Sequence, residues 1–263
     1  MHTIIKTVSG LLMVLLVIAG CSTDDAVVAN QDGRATLRIL LTDAAAPYDS
    51  VVIRFSEISA NIDSVWHTVV GDTQTVDLLE WSNGKALELG SADVPAGYYA
   101  QVRLRIDDAY IGVNGKVYPM DVPSGAQTGL KFGPGFMVME GSTYELVIDF
   151  DAMRSVVTTG PPHNPKGYKL KPHIRLSTTA TTGSISGMVS PADSLPEAHA
   201  IQNGDTITSS IVDPADGFFR LAFLPAGTYT VFIEDTSGNN YKSENVSVST
   251  GSETDLGNIL IEK

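Results

Sequence analysis

The sequence predicts an all-β protein, with two tandem antiparallel β-sandwich modules after a lipoprotein signal peptide and a flexible tether. Three observations predict this fold class. Several segments alternate apolar and polar residues with a period of two, the pattern of a half-buried antiparallel strand. Turn-forming dipeptides separate these segments, and the 263 residues include 24 Gly and 13 Pro. No stretch of 11 residues carries the apolar stripe of an amphipathic helix.

Residues 1–20 have the organisation of a secretion signal. Lys6 supplies the positive start, and the apolar run at 11–19 is too short to span a bilayer, which takes about 20 residues. The end of this run resembles a bacterial lipobox, Val17-Ile18-Ala19-Gly20-Cys21. The resemblance implies cleavage before Cys21 and a diacylglycerol thioether on that cysteine, together with an N-acyl chain. The alternative is a plain secretory signal with a chance cysteine.

The residues around Cys21 also suggest where the protein is located. Ser22 stands where an Asp would favour inner-membrane retention in enteric bacteria, so we expect a lipid-anchored protein of the outer membrane or cell surface. Thr23-Asp24-Asp25 resembles the acidic patch that directs Bacteroidetes-type lipoproteins to the surface, and a merely acidic tether is the alternative. Cys21 is the only cysteine, which excludes an intramolecular disulfide framework and any multi-cysteine metal site.

Composition divides the rest of the chain into segments. Residues 21–34 are polar and are predicted to form the lipidated tether. Residues 35–177 form a β-rich domain, the Thr-rich residues 178–183 a linker, and residues 184–263 a second β-sandwich.

The period-two segments give the strands of the first module. Its apolar faces are Val51/Ile53/Phe55, Val102/Leu104/Ile106, Tyr144/Leu146/Ile148/Phe150 and Leu170/Pro172/Ile174/Leu176. Pro172 predicts an edge position or a bulge in the last of them. One short helical turn is predicted within Asp151–Val157. The segments Val94-Pro95-Ala96-Gly97-Tyr98-Tyr99 and Leu224-Pro225-Ala226-Gly227-Thr228-Tyr229 echo each other and predict the same turn before a strand in both modules.

The first module resembles a bacterial family known as domain of unknown function 4382. The residues that carry the resemblance are Leu41-Thr42-Asp43-Ala44, Val76-Asp77-Leu78-Leu79, Pro95-Ala96-Gly97-x-Tyr99, Val122-Pro123-Ser124-Gly125, Asp149-Phe150-Asp151 with Ser155-Val156-Val157, and Leu170-Lys171-Pro172. The resemblance implies an extracytoplasmic β-rich domain and supplies no catalytic residues.

The second module resembles carboxypeptidase regulatory-like domains, which have a transthyretin-like, carbohydrate-binding-like sandwich fold. The residues that carry this resemblance are Gly183-Ser184-Ile185-Ser186-Gly187-Met188-Val189, Asp216-Gly217-x-Phe219-x-Leu221, Leu224-Pro225-Ala226-Gly227-Thr228-Tyr229 and Asp255-Leu256-Gly257-Asn258-Ile259-x-Ile261. The resemblance implies an accessory domain that usually has no chemistry of its own.

Charge narrows the choice of ligand. The formal net charge of −13 repels phosphate backbones and argues against nucleic-acid binding. A basic stripe is nevertheless predicted on one face of one strand, formed by Lys169, Lys171, His173 and Arg175. It would bind an anionic glycan or a phosphate head group. Alternatively, it pairs across the sheet with Glu145, Asp149 and Asp151.

Asp149 and Asp151 lie two residues apart and would share one face of a strand. They could form half of a divalent-cation site or an acid/base pair. The alternative is a strand end with solvated or salt-bridged carboxylates. Similarly, Asp213-Pro214-Ala215-Asp216-Gly217 lacks most ligands of a calcium loop and is better interpreted as a β-turn.

Motifs of familiar enzymes are absent from the sequence, with no metal-spaced histidines, nucleophile elbow, phosphate-binding loop or dinucleotide-binding glycine pattern. The sequence therefore predicts no enzyme and no cofactor. It favours a membrane-anchored extracytoplasmic binding module, with glycan as the first ligand class. A structural or adhesive protein that engages another cell-envelope protein is the alternative, and a hydrolase is a third. Five aromatic residues would stack on sugars if exposed and would otherwise pack in the core: Trp66, Trp81, Tyr98, Tyr99 and Tyr118.

Overall fold

A computed structural model describes residues 33–44, 46–122, 129–161 and 166–262. The predicted signal peptide, Cys21 and residues 21–32 of the predicted tether lie outside the described residues. In the part of the chain that is described, no helix is long and apolar enough to cross a membrane. The predicted all-β class is confirmed, because almost every element is a strand.

The first part of the described chain contains fourteen of these strands and one short helix. The strands are β1 (Arg34–Ala44), β2 (Ser50–Ile62), β3 (Val65–Val70), β4 (Gln74–Asp77), β5 (Leu87–Pro95), β6 (Gly97–Tyr99), β7 (Gln101–Val113), β8 (Lys116–Asp121), β9 (Leu130–Phe132), β10 (Phe136–Val138), β11 (Thr143–Asp151), β12 (Val156–Thr159), β13 (Gly167–Leu170) and β14 (Ile174–Thr178). The helix α1 (Ala152–Ser155) lies between β11 and β12, and a 3₁₀ turn spans Leu78–Trp81.

These strands form two main sheets. One has the order β14-β11-β1-β5, and the other has the order β12-β13-β8-β7-β2-β3, with β4 paired to β2 and β9 to β7. A small third sheet pairs β10 with β6. Most neighbours are antiparallel, but β1 is parallel to β11 and β13 is parallel to β8.

Alternation of buried and exposed residues explains the packing of this module. Along β2, Val51, Ile53 and Phe55 are buried, as the period-two pattern predicts, and they share one core with Leu37 and Ile39 of β1. Burying each of these side chains contributes about 1.5–3 kcal/mol relative to leaving it exposed to water. The core therefore holds the two sheets face to face.

The strand β11 departs from its predicted half-buried pattern. Val147 and Asp149, on the face expected to meet solvent, are both buried. Asp149 shares a small cavity with Thr208 and Phe223 from the second part of the chain. The second part thus covers this face, and a strand between two packed layers is buried on both sides.

Seven further strands lie in residues 182–260: β15 (Thr182–Ser190), β16 (Glu197–Gln202), β17 (Asp205–Ile211), β18 (Phe218–Pro225), β19 (Gly227–Glu234), β20 (Asn240–Val248) and β21 (Glu253–Leu260). They form a sheet of order β18-β15-β21 and a sheet of order β17-β16-β19-β20. Their buried residues form a second core, which includes Ile185, Phe219, Tyr229 and Val231.

The predicted linker 178–183 contains the end of β14, a 3₁₀ turn at Thr179–Thr181 and the start of β15. No long unstructured segment therefore separates the two cores. The domain boundaries themselves stay a prediction.

The two Pro-Ala-Gly segments make the same contact. The hydroxyl of Tyr99 donates to the carbonyl oxygen of Pro95 at 2.8 Å, and the hydroxyl of Tyr229 donates to that of Pro225 at 2.8 Å. Both tyrosines are buried, and each is the third residue of a strand, where Tyr99 ends β6 and Tyr229 lies within β19. The echo in the sequence is thus a repeated structural unit.

Candidate functional site

The predicted basic stripe does not lie on one strand, and that part of the prediction is wrong. Lys169 belongs to β13 in the larger sheet, whereas Arg175 belongs to β14 in the four-stranded sheet. Lys171 and His173 lie in the crossing between the two strands. Binding of a ligand by these four residues stays a prediction.

Pro172 accounts for the break in the strand. It has no N–H with which to continue a ladder, so the chain leaves one sheet there and enters the other. Ser155 at the end of α1 fixes the crossing on both sides. Its carbonyl oxygen accepts from Lys171 N–H at 2.7 Å, and its hydroxyl accepts from His173 N–H at 2.8 Å.

The cross-strand pairing offered as the alternative is confirmed for Arg175. Asp149 is its register partner across β11 and β14, and their side chains form an ion pair. The guanidinium also donates to the carbonyl oxygen of Phe223 at 2.6 Å, which ties β14 to the second part of the chain. Lys169 pairs instead with Asp121, at 3.5 Å on the surface.

The remaining acidic residues of the predicted pairing have other partners. Glu145 pairs with Arg38 at 2.9 Å. Asp151 caps α1, where its carboxylate accepts from Arg154 N–H at 2.9 Å. Within the described residues, no three His, Cys, Asp or Glu side chains are placed to hold a metal ion. A cation held by Asp149 and Asp151 stays a prediction.

Four of the six residues predicted for ligand or metal binding line one cleft of about 610 Å³: Asp149, Asp151, His173 and Arg175. The cleft lies between the ends of β11 and β14 on one side and β17 on the other. Arg154 of α1 completes the first side. Lys169 and Lys171 are not among the lining residues. The structure therefore brings together the acidic pair with half of the basic stripe.

The opposite side of the cleft comes from the start of β17, where Asp205 and Thr206 line it. Arg154 bridges the two sides, since its guanidinium donates to the carbonyl oxygen of Thr206 at 3.2 Å. Asp205 and His173 are both exposed, and in the described part of the chain neither side chain forms an ion pair. They are the cleft groups most available to a ligand.

Behind the cleft, Asp43 is a buried carboxyl at the end of β1. Its Oδ1 accepts from Ala152 N–H at 2.9 Å, which holds the start of α1. Its Oδ2 is buried and has no hydrogen-bond partner among the described residues. Asp43 and Asp149 line the same small cavity of about 10 Å³, together with Asn83 and Arg220.

Burial raises the pKa of Asp43 well above its ordinary value, because the charged form is poorly solvated there. The hydrogen bond from Ala152 lowers this pKa, while the nearby charges of Asp149, Asp151 and Asp77 raise it further. Burial likewise raises the pKa of Asp149, and the Arg175 guanidinium opposes that rise. The floor of the cleft therefore disfavours additional negative charge.

The five aromatic residues proposed for sugar stacking do not share one surface. Tyr99 is buried and stacks on Phe136, with ring centroids 5.4 Å apart. Trp81 packs against the core, and Trp66 lies under the Arg103 guanidinium at 4.5 Å. Tyr98 is exposed. The alternative of core and cross-strand packing is therefore correct for most of this set, including Tyr118, which packs against Tyr168.

A hydrolase would need several of Asp107, Asp108, Asp149 and Asp151 to converge with a histidine, and of these four only Asp149 and Asp151 line the cleft with His173. Asp107 and Asp108 lie on β7 in the other main sheet, where they interact with Ser56 and Arg54. The Asp213–Gly217 segment forms a turn, but Gly217 N–H donates to the Asp213 carbonyl oxygen at 2.8 Å, which closes five residues where the predicted β-turn would close four.

Sequence reasoning missed Asp43, Asn83, Arg154 and Asp205. Asp43 interrupts the apolar end of a strand pattern, and a polar residue in such a run is a signal for a specific buried partner. Asn83 belongs to an Asn-Gly pair, which marks the turn but not its contacts. The other two are ordinary surface residues in sequence and become cleft residues only through the packing of the two β-modules.

Comparison with known proteins gives one family match. The model of the family described as a domain of unknown function (DUF4382) matches residues 34–172. No curated protein matches the chain.

Among solved structures, the Bacillus anthracis TIE protein is similar at 14% identity with a TM-score of 0.24, over 87% of this chain and 34% of that one. The chain thus spans about a third of the length of that protein. BcpA, the major pilin subunit of Bacillus cereus, is similar at 11% identity with a TM-score of 0.21, over 88% and 70% of the two chains. The fimbrial anchor protein Mfa2 from Porphyromonas gingivalis is similar at 10% identity with a TM-score of 0.20, over 80% and 82%. Superpositions with scores this low establish neither a common fold nor a common function.

Proposed function

The chain belongs to the family described as a domain of unknown function (DUF4382), and we propose that it is a non-catalytic, lipid-anchored binding protein that takes a glycan in its cleft. The observation that carries the proposal is the cleft itself, where side chains from β11, α1, the crossing before β14 and β17 face one space. Its volume of about 610 Å³ is typical of small-molecule sites.

The chemistry of the cleft suits a polyhydroxylated ligand. Three carboxylates and two guanidinium groups line it, so hydrogen-bond donors and acceptors share one space. Sugar hydroxyls donate to carboxylates and accept from guanidinium groups, and hydrogen bonds to charged groups contribute about 1.5–3 kcal/mol each. Among the described residues no Phe, Tyr or Trp lines the cleft, so recognition would rest on these polar contacts.

A glycan array tests the ligand class. We would apply the Cys21→Ala chain, which cannot be lipidated, and measure dissociation constants for any hits by calorimetry. Asp205→Asn should weaken binding about tenfold, because it removes one charged acceptor that no described residue occupies. Asp72→Asn is the matched control, since Asp72 is also an exposed carboxylate but lies away from the cleft. An array without hits, or equal effects of the two variants, would contradict the proposal.

Membrane attachment is tested separately. The expected result is that the wild-type chain sediments with membranes and Cys21→Ala moves to the soluble fraction. Mass spectrometry of the wild-type protein should show the mass of the diacylglycerol and acyl chain. A Cys21→Ala protein that stays in the membrane fraction would show that the lipobox interpretation is wrong.

A second candidate function is a structural or adhesive protein that engages a protein of the cell envelope. Exposed apolar side chains on the β7–β8 hairpin favour it, with Tyr110 40% and Val117 70% exposed. Crosslinking in intact cells followed by purification tests it. A partner that is captured by the wild-type chain and lost with Val117→Asp would favour this function over glycan binding.

A further inference from the structure

Three large apolar side chains are exposed at one end of the first module, and we name them the N-terminal patch: Tyr98, Met137 and Met139. They are 57%, 53% and 66% exposed. Met137 is the register partner of Tyr98 across β10 and β6. The neighbouring residues Tyr99 and Val138 are buried in the core. Alternation along the two short strands therefore places Tyr98 and Met137 together on the outer face.

The N-terminal patch surrounds the point where the described chain begins. Gly33 N–H donates to the Glu140 carboxylate at 3.3 Å, and Ala96 N–H donates to the Gly33 carbonyl oxygen at 2.6 Å. Glu140 follows Met139 directly, and Ala96 is two residues before Tyr98. In addition, Gly141 N–H donates to the Arg34 carbonyl oxygen at 2.9 Å. Three hydrogen bonds thus hold the start of β1 beside the patch.

Few residues separate this point from the proposed lipid. Cys21 precedes Gly33 by 12 residues. A chain of that length spans at most about 40 Å. A lipid on Cys21 would therefore keep Gly33, beside the N-terminal patch, within about 40 Å of the lipid surface.

We propose that the N-terminal patch rests on the lipid surface to which Cys21 is anchored and so fixes the orientation of the protein on the membrane. This inference rests on the proposed lipid anchor. Tyrosine suits such a contact, because its ring is apolar and its hydroxyl remains in the wet head-group region. The two methionines supply flexible apolar side chains that adapt to an irregular surface. The patch adds orientation, whereas the acyl chains supply the attachment.

A spin label tests the proposal in the full-length, lipidated protein. Cys21 is the only native cysteine and its thiol is consumed by the thioether, so Met137→Cys provides a single site for a nitroxide. Val117→Cys is the matched control, because Val117 is also an exposed apolar strand residue but lies on the β7–β8 hairpin. Each labelled protein would be reconstituted into phosphatidylethanolamine–phosphatidylglycerol vesicles. Collision of the label with oxygen, which concentrates in lipid, is compared with collision with a water-soluble nickel complex.

The expected result is that the label at Met137 collides several-fold more with oxygen relative to nickel than the label at Val117 does. Met139→Cys lies just after β10 and should give the same result if Met137→Cys fails to fold. Floating vesicles with equal accessibility at both sites would overturn the patch proposal and leave the anchor intact. Protein that does not float with the vesicles would overturn the anchor, and the patch proposal with it.

Discussion

The side chain of Asn83 accepts a hydrogen bond from the backbone N–H of Arg220, so a turn residue of the first β-module meets a strand of the second. The same Oδ1 accepts from the Ser210 hydroxyl at 3.1 Å, and the amide group donates to the Phe218 carbonyl oxygen at 3.4 Å. Gly84 beside it packs against the aliphatic part of Arg220, where an added Cβ would lie 2.5 Å from Cδ. The turn therefore packs against the second module and is held there by these hydrogen bonds.

Replacing Asn83 should destabilise the protein more than an equivalent turn change elsewhere. Asn83→Ala removes three hydrogen bonds and puts Ala at a positive φ of 57°. Asn114 occupies the corresponding place in the Asn-Gly turn of β7–β8, with a φ of 51°, and makes none of these contacts. We expect Asn83→Ala to cost about 2–3 kcal/mol more than Asn114→Ala in the free energy of unfolding, measured in urea. Equal costs would mean that the contacts between modules contribute nothing.

The two buried tyrosines should respond alike to loss of their hydroxyls. Tyr99→Phe and Tyr229→Phe each remove one hydrogen bond to a proline carbonyl oxygen and leave the ring in place. We expect each variant to lose about 1 kcal/mol of unfolding free energy. Tyr98→Phe serves as the control, because Tyr98 is exposed, and should change stability by less than about 0.5 kcal/mol. A cost for only one of the two buried tyrosines would show that the repeated turn is not energetically equivalent in the two modules.

The ion pair of Arg175 and Asp149 should be costly to break. The side chains are 22% and 6% exposed, so Arg175→Leu leaves a carboxylate almost without solvent or partner. We expect a loss of about 3–5 kcal/mol in the free energy of unfolding at pH 7. The comparison is Arg54→Leu, which breaks a surface pair with Asp108 whose side chains are 50% and 44% exposed, and should cost at most about 1 kcal/mol. Adding Asp149→Asn to Arg175→Leu should recover part of the loss, and a double variant as unstable as the single one would argue against a buried charge as its cause.

Asp43 should make stability depend on pH with a definite sign. The pKa of Asp43 is raised in the folded protein. Its contribution to the free energy of unfolding is therefore fully present below its pKa in the unfolded chain, and it is lost as the pH rises through its pKa in the folded protein. Asp43→Asn imitates the protonated form. The stability of this variant relative to wild type should therefore increase between pH 4 and pH 8, by about 1.4 kcal/mol for each unit by which the pKa is raised. Urea unfolding across this range measures it, with Asp72→Asn as the exposed control, and a constant difference would contradict the expectation.

The strands could be predicted because their apolar faces repeat within a few residues. The alternation of Val51, Ile53 and Phe55 reports a local property of β2, and the two Pro-Ala-Gly-x-Tyr segments report a local turn. Local patterns also gave the helical turn at α1, where Asp151 is the cap. Each of these patterns depends only on residues that are close together in the sequence.

The candidate site could be predicted only in part, since packing between distant segments forms it. Asp149 and His173 were singled out by charge, but the second side of the cleft comes from β17, more than 30 residues further along the chain. The alternation through residues 169–175 continues across Pro172, so the sequence shows one strand where the chain changes sheets. Likewise, the burial of Asp149 depends on a second layer that no pattern within β11 reveals.

The parallel pairing of β1 with β11 sets an order of folding. Arg38 and Glu145 are in register and bonded, yet they are 107 residues apart. The first strand of the sheet therefore has no β11 partner until the chain has been made beyond residue 151, and closing so long a loop slows folding. Until then, the edge of β1 that pairs with β11 presents unpaired backbone N–H and C=O groups, which can pair with a strand of another chain. We expect aggregation to compete with folding during this interval.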